Sequence, residues 1–294
     1  MNHIFIFIVN SRIGTQKIIE VRQAIQTYLP NEKYEIFLTE YAGHATFLAK
    51  QAIENPQNII VAVGGDGTVN EVVQVLANTN IPMAVVPTGS GNGLARHCKI
   101  PTTISLAIAL LKNYSITQID LGKANDKFFI SNTGVGFDAW VCSKIKETIN
   151  RGLKMYILEV VKNYFTYKKE TYTIISDEKS ITEEAFFLNI ANGKEFGYGF
   201  EIAPNASLCD GMLDVIIVKN MNLWTACKFV VDGWQKKLHT NKNCIYFQTK
   251  KISIRAKNLH HLQVDGDAHS CMGICEIKMI PKALRLIIPP NVSL

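Results

Sequence analysis

Over its first 120 residues the chain alternates short apolar runs with stretches in which apolar residues recur at helical spacing. Residues 59–63 are apolar without a polar break, a pattern typical of a strand buried on both faces. Similar runs of strand length lie at residues 4–9 and 83–86, and residues 34–38 are apolar apart from Glu35. Because strands that alternate with helices usually pair in parallel, the pattern predicts an α/β domain with a parallel sheet over residues 1–120.

From Gln118 onward the pattern changes, and short β-rich segments follow one another. They lie at residues 118–123, 127–133, 172–175, 185–191, 212–218, 244–248, 251–256 and 275–279, and residues 283–289 form one more apolar strand after them. Two stretches with helical spacing interrupt them, near residues 138–166 and 222–238. Segments of this kind predict an all-β second domain, an antiparallel β-sandwich, over residues 121–282.

Two glycine-rich turns end predicted strands of the first domain. The first is GGDGT at residues 64–68, and the second is PTGSGNG at residues 87–93. Glycine lets backbone N–H groups approach a ligand, and a helix N-terminus adds partial positive charge, so both turns suit an anionic phosphate. Thr68 and Glu71 have capping-box spacing, which predicts a helix that begins at Thr68. A plain tight turn is the alternative for either motif taken alone.

Composition narrows the class of protein. Of the 294 residues, 47% are hydrophobic and 19% are charged, which is enough apolar mass for a core and too little charge for a disordered chain. The net charge of +6 fits an anionic nucleotide or membrane surface, whereas no basic cluster indicates nucleic acid as a partner. No apolar run approaches the roughly 18 residues of a membrane span. We therefore expect a cytoplasmic protein.

The seven cysteines stand at scattered spacings and are expected to be reduced thiols in such a compartment. Cys271 and Cys275 lie four residues apart, with three histidines nearby: His260, His261 and His269. A zinc site is an alternative for this group, although the spacing is not that of a Cys-x-x-Cys knuckle.

The glycine motifs, extended to GGDGTVNEV and PTGSGNGLAR, together resemble the catalytic domain of diacylglycerol, sphingosine and ceramide kinases and of bacterial lipid kinases. The resemblance continues through NTGVGFDA at residues 132–139, the segment 192–215 and VDGDA at residues 264–268. It implies an ATP- and Mg²⁺-dependent kinase that phosphorylates a lipid hydroxyl, of diacylglycerol or of a sphingoid base, at a membrane surface. It also implies that residues 283–294 return to the nucleotide domain, and that residues 121–282 hold the lipid substrate.

The resemblance implies a set of nucleotide contacts in the first domain. They are Asn10, Thr39, Gly64, Gly65, Asp66, Gly67, Thr68, Val69, Asn70 and Ser90. The first loop departs from the family pattern Asn-Pro-x-Ser-Gly, because only Asn10 and Gly14 match its ends. An acid beside a phosphate repels it, so we expect Asp66 to hold Mg²⁺ directly or through water. A turn-forming Asp bonded to its own backbone is the alternative.

The second domain supplies the acids of the expected reaction. Asp267 stands where the family has the Glu of an Asp-Gly-Glu pattern, and it is the candidate base that accepts the hydroxyl proton. An ordinary hairpin turn at residues 265–267 is the alternative. By resemblance Asp138 orients this network or meets the substrate head group. The resemblance also implies a structural Mg²⁺ site, whose ligands are Ser207, Asp210 and Met212.

Two features bear on substrate and partners. Residues 90–93, SGNG, lack the acid usual in bacterial diacylglycerol kinases and resemble the sphingosine and ceramide kinase form. Residues 144–172 mix lysines with apolar and aromatic residues, which predicts either a helix lying on an anionic membrane or a helix packed on the sandwich. A homodimer and peripheral association with the inner membrane face are further expectations. An NAD kinase-like enzyme and a non-catalytic nucleotide- or lipid-binding protein are the rival functions.

Overall fold

In the computed structural model, which describes residues 3–146, 153–197, 200–292 and 294, the chain forms two compact units. One comprises Met1–Leu121 with Pro281–Leu294, and the other comprises Gly122–Ile280. The first unit has an α/β fold with a parallel sheet and the second has antiparallel sheets, so the predicted fold class is confirmed.

The first unit alternates strands and helices. Its elements are β1 (Ile4–Asn10), α1 (Thr15–Tyr28), β2 (Lys33–Thr39), α2 (His44–Ala52), β3 (Asn58–Gly64), α3 (Asp66–Leu76), β4 (Met83–Pro87), α4 (Gly93–His97), α5 (Ile104–Ala109) and β5 (Ser115–Ala124). Short 3-10 turns lie at Ser11–Ile13 and Leu110–Lys112. The strands β2, β1, β3 and β4 pair in parallel in that order, so the carboxyl ends of all four lie at one edge of the sheet.

The second unit is mostly antiparallel. Its elements are β6 (Lys127–Phe129), β7 (Asn132–Gly136), α6 (Phe137–Lys146), α7 (Leu153–Tyr164), β8 (Glu170–Ser176), β9 (Ser180–Ala185), β10 (Phe187–Ala191), β11 (Glu195–Gly197), β12 (Phe200–Glu201), β13 (Leu213–Val218), α8 (Leu223–Trp234), the 3-10 turn Leu238–Thr240, β14 (Cys244–Thr249), β15 (Lys251–Arg255), β16 (His261–Val264), β17 (Asp267–Ser270) and β18 (Ile274–Ile288). One sheet has the order β14-β13-β10-β7-β16-β17. The strands β9, β8, β15 and the first part of β18 form the second large sheet of this unit, and β11 pairs with β12 in a short two-stranded sheet.

The two sheets of the second unit enclose one apolar core. Val135 and Leu188 from the first sheet share a buried cluster with Ile254 and Ile277 from the second. The opposite face of the six-stranded sheet buries residues of α6 and α8, and part of α7 packs there too. The six-stranded sheet is therefore covered on both faces, by helices on one face and by the other large sheet on the opposite face.

The predicted start of α3 is wrong. The helix begins at Asp66 with Gly65 as its N-cap, and no side chain caps it. The carboxylate of Glu71 instead accepts the backbone N–H groups of Gly43 (2.9 Å) and Ala45 (3.1 Å) at the start of α2. Thr68 and Glu71 have capping-box spacing, but Glu71 bonds to the start of α2 and therefore does not cap α3.

Two predicted strand boundaries also differ. The segment 127–133 is two strands, because the backbone N–H groups between them bond to Asp265 rather than to a neighbouring strand. The segments 275–279 and 283–289 are one strand, β18, although Pro281 lies within it. Lys282 has a positive φ of 53° and donates its N–H to the Asp120 carboxylate (2.7 Å), so the strand bends there and continues.

The helical stretch predicted over residues 138–166 is described as α6 and α7, and residues 147–152 of it lie outside the described residues. In the part of the chain that the structure describes, no helix has the length and apolar character needed to cross a membrane.

Asp265 is expected to stabilise the second unit. Its carboxylate accepts the N–H groups of Ile130 (2.9 Å), Ser131 (2.8 Å) and Asn132 (3.1 Å). Asp265→Ala leaves these donors without the acceptor and should lower the free energy of unfolding by about 3 kcal/mol, measured by urea denaturation. Asp265→Asn is the matched control, because Asn tolerates the positive φ of 48° and keeps one oxygen, so its loss should be smaller. Equal stability of the Ala and Asn variants would contradict this assignment.

Candidate functional site

A single carboxylate joins the two glycine turns of the first unit. Asp66 accepts the backbone N–H of Asn92 at Oδ2 (2.9 Å) and that of Gly93 at Oδ1 (2.9 Å). Both donors lie at the start of α4, so the negative charge also faces the positive end of that helix. Asp66 therefore connects the two turns to each other instead of bonding to the backbone of its own turn.

The two turns also touch directly. A Cβ on Gly89 would lie 2.7 Å from the Cα of Gly65, and a Cβ on Gly65 would lie 3.3 Å from the Cα of Gly89. A Cβ on Gly64 would lie 2.4 Å from Oγ1 of Thr68. These positions need glycine for packing within the protein. A Cβ on Gly67, in contrast, would meet no heavy atom within 4 Å, so the turn is open to solvent above Gly67.

Polar side chains stand at the ends of neighbouring strands, along the edge of the sheet that includes the first turn. Nδ2 of Asn10, at the end of β1, donates to Oγ1 of Thr68 (2.8 Å). Oγ1 of Thr39, at the end of β2, accepts the N–H of Ser11 (3.4 Å). The structure thus brings Asn10, Thr39 and Thr68 to one edge of the parallel sheet, where open α/β sheets bind ligands.

The remaining predicted nucleotide contacts differ in what they can offer. The side chain of Val69 is buried in the first unit, so only its backbone is available to a ligand. Oδ1 of Asn70 accepts Nε2 of Gln74 (2.9 Å), one turn further along α3. Ser90 is exposed in the second turn, which Asp66 attaches to the first.

Sequence reasoning missed Lys17. This residue lies in the first turn of α1, and its Nζ donates to the carbonyl oxygen of Thr88 (3.0 Å) in the second glycine turn. It brings a positive charge to the turns. The available signal was a lysine early in the helix that follows the first loop. Asn92 braces the same turn, because its side chain bonds both the N–H (3.0 Å) and the carbonyl (2.8 Å) of Gly89.

In the second unit Asp267 follows a tight turn and begins β17. Asp265 and Gly266 have positive φ values of 48° and 83°, as in the two-residue hairpin turn that joins β16 to β17. The hairpin alternative is therefore correct for Asp265 and Gly266. Asp267 itself is exposed on the strand, paired in register with Val264. Its carboxylate is accessible to a substrate.

Asp138 is a buried acid on α6. Burial raises the pKa of its carboxyl from 3.8 to about 7, against the opposing effect of the Tyr156 hydroxyl, which donates to Oδ1 (3.1 Å). Its Oδ2 is buried with no described group within hydrogen-bond distance, and the nearby Gln263 amide opposes the rise in the pKa of the carboxyl. Cys142, one helical turn along, has its pKa raised by burial and by the charges of Asp138 and Asp267. Both acids therefore lie within electrostatic range of Cys142.

The expected metal ligands stand in the loop before β13. Oγ of Ser207 accepts the N–H of Cys209 (3.2 Å), and Oδ1 of Asp210 accepts the N–H of Met212 (3.0 Å). Asp210 is exposed, and its charge contributes to raising the pKa of buried Asp214, after desolvation. Oxygen donors with one carboxylate are the ligands that Mg²⁺ accepts, so the residue types fit that ion.

The cysteines and histidines near the chain end do not form a metal site. Within the described ranges, no three His, Cys, Asp or Glu side chains are arranged to hold a metal ion. The thiols of Cys271 and Cys275 interact with each other instead, which lowers the pKa of Cys271 to about 7 and raises that of Cys275. The zinc alternative is therefore wrong for this group.

Comparison with known proteins agrees with this arrangement. The diacylglycerol kinase catalytic domain matches residues 4–124, and the YegS C-terminal NAD kinase beta sandwich-like domain matches residues 131–288. The fold is also that of the crystal structure of a diacylglycerol kinase from Bacillus anthracis, with a TM-score of 0.77, 23% sequence identity and coverage of 99% of this chain and 98% of that chain.

Curated relatives align over most of the chain. A probable lipid kinase YegS-like protein of Shewanella frigidimarina is 27% identical over 261 residues, 86% of this chain and 83% of the relative. A diacylglycerol kinase of Staphylococcus epidermidis is 31% identical over 240 residues, 79% of this chain and 74% of the relative. The predicted family is thereby confirmed: the chain belongs to the diacylglycerol kinase catalytic-domain family, a family of lipid kinases.

Proposed function

We propose that this lipid kinase transfers the terminal phosphoryl group of ATP to a hydroxyl of diacylglycerol or of a sphingoid base. The observation that carries the proposal is the pair of glycine turns held together by Asp66, with open space above Gly67. We call residues 64–68 and 87–93 the phosphate cradle. Relatives described as diacylglycerol kinases favour that acceptor, and the SGNG sequence of the second turn favours a sphingoid base as the second candidate.

The cradle suits a polyphosphate for electrostatic reasons. The N-terminus of the 11-residue helix α3 lies at the first turn, and a helix start carries partial positive charge and unsatisfied N–H groups. Two backbone donors already neutralise part of the negative charge of Asp66, so this acid repels a phosphate less. Lys17 adds a full positive charge beside the second turn. Asn10 and Thr68 supply polar groups at the same edge for the rest of the nucleotide.

The transfer balances without any further reactant. The oxygen of the lipid hydroxyl attacks the terminal phosphorus, the bond between that phosphorus and the bridging oxygen of ADP breaks, and ADP leaves. The hydroxyl proton passes to the carboxylate of Asp267, which is exposed and acts as general base. Mg²⁺, when bound, would neutralise charge on the transferring phosphoryl group.

Metal assignments are part of the proposal. Asp66 is proposed to hold Mg²⁺ through water, because both of its oxygens already accept a backbone N–H. Ser207, Asp210 and Met212 are proposed to hold a second, structural Mg²⁺ in the loop before β13. Asp138 is proposed to orient the residues around Asp267 or to meet the substrate head group, because its buried Oδ2 has no bonding partner in the described structure.

Partners and location follow from the substrate. We propose a protein of the cytoplasm that associates peripherally with the inner membrane face, where its lipid substrate lies. A homodimer is a separate proposal, because the exposed edge strand β2 is available to pair with a second copy of the chain.

Radiolabelled transfer from ATP across a panel of lipids tests the proposed function. Label on NAD would support the NAD kinase-like rival, and ATP use without lipid dependence would contradict lipid phosphorylation.

Gly67 is the position that tests the cradle. Because a Cβ there meets open space and Gly67 lies within α3, Gly67→Val should leave folding intact while its side chain occupies the ligand space. ATP affinity should fall about tenfold or more, which corresponds to about 1.4 kcal/mol, measured by calorimetric titration.

Gly64→Ala is the contrasting variant for this test. Its Cβ would collide with Thr68, so it should lower the unfolding temperature, whereas Gly67→Val should not. Unchanged ATP affinity in a folded Gly67→Val protein would contradict the phosphate cradle.

Asp267 is the position that tests the general base. Asp267→Asn keeps the size of the side chain but removes the basic oxygen, so kcat at saturating ATP and lipid should fall by on the order of 10²–10⁴. ATP affinity should hardly change, because the cradle carries it. Asp267→Glu places the usual family residue there and should keep measurable activity.

Asp126→Asn is the matched control, since Asp126 is an exposed acid of the same unit, with 80% of its side chain accessible. It should turn over at the parent rate. If Asp267→Asn turns over as fast as the parent, Asp267 has only a structural role next to the hairpin turn, and Asp66 becomes the next candidate base.

The raised pKa of Asp138 predicts a pH-dependent stability. Between about pH 4 and pH 7 the unfolded chain ionises this acid while the folded chain keeps its proton, so this contribution to stability falls as pH rises through that window. Asp138→Asn removes the titration and keeps an acceptor for Tyr156. Its stability relative to the parent should therefore increase from pH 4 to pH 8 by on the order of 3 kcal/mol, followed by urea denaturation at each pH. An unchanged difference across this range would show that Asp138 is ionised in the folded protein.

A further inference from the structure

Helix α7 has one buried and one exposed apolar face. Tyr156, Val160 and Tyr164 pack against the core beneath the six-stranded sheet. On the other side the exposed residues are also apolar, with accessible fractions of 52% for Ile157, 43% for Leu158, 60% for Val161 and, just after the helix, 76% for Phe165. The core-packing interpretation of this segment therefore explains only one side of the helix.

Helix α8 repeats this arrangement. Phe229 is buried in the same core cluster. Trp224, Val231 and Trp234 are exposed at 86%, 49% and 59%, and their spacing of seven and three residues places them on one side of the helix. Two of the three tryptophans in the protein are therefore exposed on one helix.

The end of α7 and the segment just before α8 meet at one junction. The hydroxyl of Tyr164, at the end of α7, donates to the carbonyl of Met221, two residues before α8 begins. Tyr164 is also within electrostatic range of Cys227 on α8. Phe165 contacts the ring of Tyr164 edge-on at 5.0 Å, so it lies at this junction too. We name seven of the exposed apolar residues the docking face: Ile157, Leu158, Val161, Phe165, Trp224, Val231 and Trp234.

Lysines accompany the docking face. Lys162 on α7 and Lys228 on α8 are more than half exposed, and each pairs with an acid of its own helix, Glu159 and Asp232. Lys168 and Lys237 are exposed just after the two helices. The whole chain carries a net charge of +6. The pairs Lys162–Glu159 and Lys228–Asp232 carry no net charge, so the local positive charge comes from Lys168 and Lys237. An anionic surface complements these two lysines and the overall charge of the protein.

We propose that α7 and α8 together form the surface by which this protein docks on an anionic lipid bilayer. The proposal rests on the proposed function in one respect, because that function requires a substrate held in a membrane. Tryptophan and phenylalanine favour the boundary between head groups and acyl chains, and lysines beside them favour anionic head groups. The two helices lie in the interface with their apolar sides toward the acyl chains and their other sides in the protein core.

The test uses the full chain with vesicles of equal parts phosphatidylglycerol and phosphatidylcholine, and with vesicles of phosphatidylcholine alone. The parent should sediment with the anionic vesicles, and binding should weaken when salt shortens the Debye length from about 10 Å to about 3 Å. The double variant Phe165→Ser with Trp224→Ser should bind about tenfold or more weakly. Tryptophan emission of the parent should shift to the blue on binding, and the shift should decrease in Trp224→Phe.

Phe47→Ser with Leu106→Ser is the matched control, because these residues are 50% and 57% exposed in the first unit, away from α7 and α8 in sequence. This variant should bind vesicles like the parent. If both double variants bind like the parent, or if the Phe165 and Trp224 variant changes only the oligomeric state, the docking face is overturned as a membrane surface.

The test separates docking from catalysis. Asp267→Asn should bind the vesicles as the parent does, because Asp267 is not part of the docking face. Vesicle binding by a parent that phosphorylates no lipid would support the docking face and overturn the proposed function. If the parent phosphorylates lipid but the Phe165→Ser with Trp224→Ser variant binds vesicles as the parent does, the proposed function would be supported and the docking face overturned.

Discussion

The arrangement of the two glycine turns in the first unit depends on the two hydrogen bonds that Asp66 accepts. Helix α4 has five residues, too few to persist without tertiary contacts, and its first N–H groups end on this carboxylate. The same bonds hold Gly89 against Gly65, where any side chain would separate the turns. An acid beside the proposed phosphate cradle is unfavourable by itself. Asp66 is tolerated here because it accepts the backbone N–H groups of Asn92 and Gly93, and these two bonds fix the shape of the turns.

Three carboxylates of the second unit show how surroundings decide the use of one chemical group. Asp265 is saturated by three backbone donors and acts as a structural anchor. Asp267, two residues later, is exposed and open to a substrate. Asp138 is buried, and desolvation favours its protonated form. The proposed base is therefore the one of the three acids that is exposed to solvent.

Local features were predictable from the sequence, and distant contacts were not. The buried strands, the glycine turns and the Asp265–Gly266 hairpin depend on neighbouring residues, so their patterns were visible. Glu71 accepts hydrogen bonds from residues that lie 26 and 28 positions away in the sequence. Asp265 accepts them from residues more than 130 positions away. The local sequence pattern therefore gave no sign of either set of donors. The spacing of α7 and α8 likewise predicts an apolar side but not that a second apolar side is left exposed.

Strand β18 has a consequence for how the chain acquires its structure. Its first part pairs with β15 and its last part with β4, to which it contributes Leu286 beside Met83. Ile287 is buried among residues from the other end of the chain, such as Phe7 and Val61. During synthesis the first 121 residues leave the ribosome before β18 does. The first unit therefore cannot complete its sheet until the end of the chain has been made. Because contacts across some 280 residues close late, we expect the first unit to finish folding only after the second unit has been synthesised.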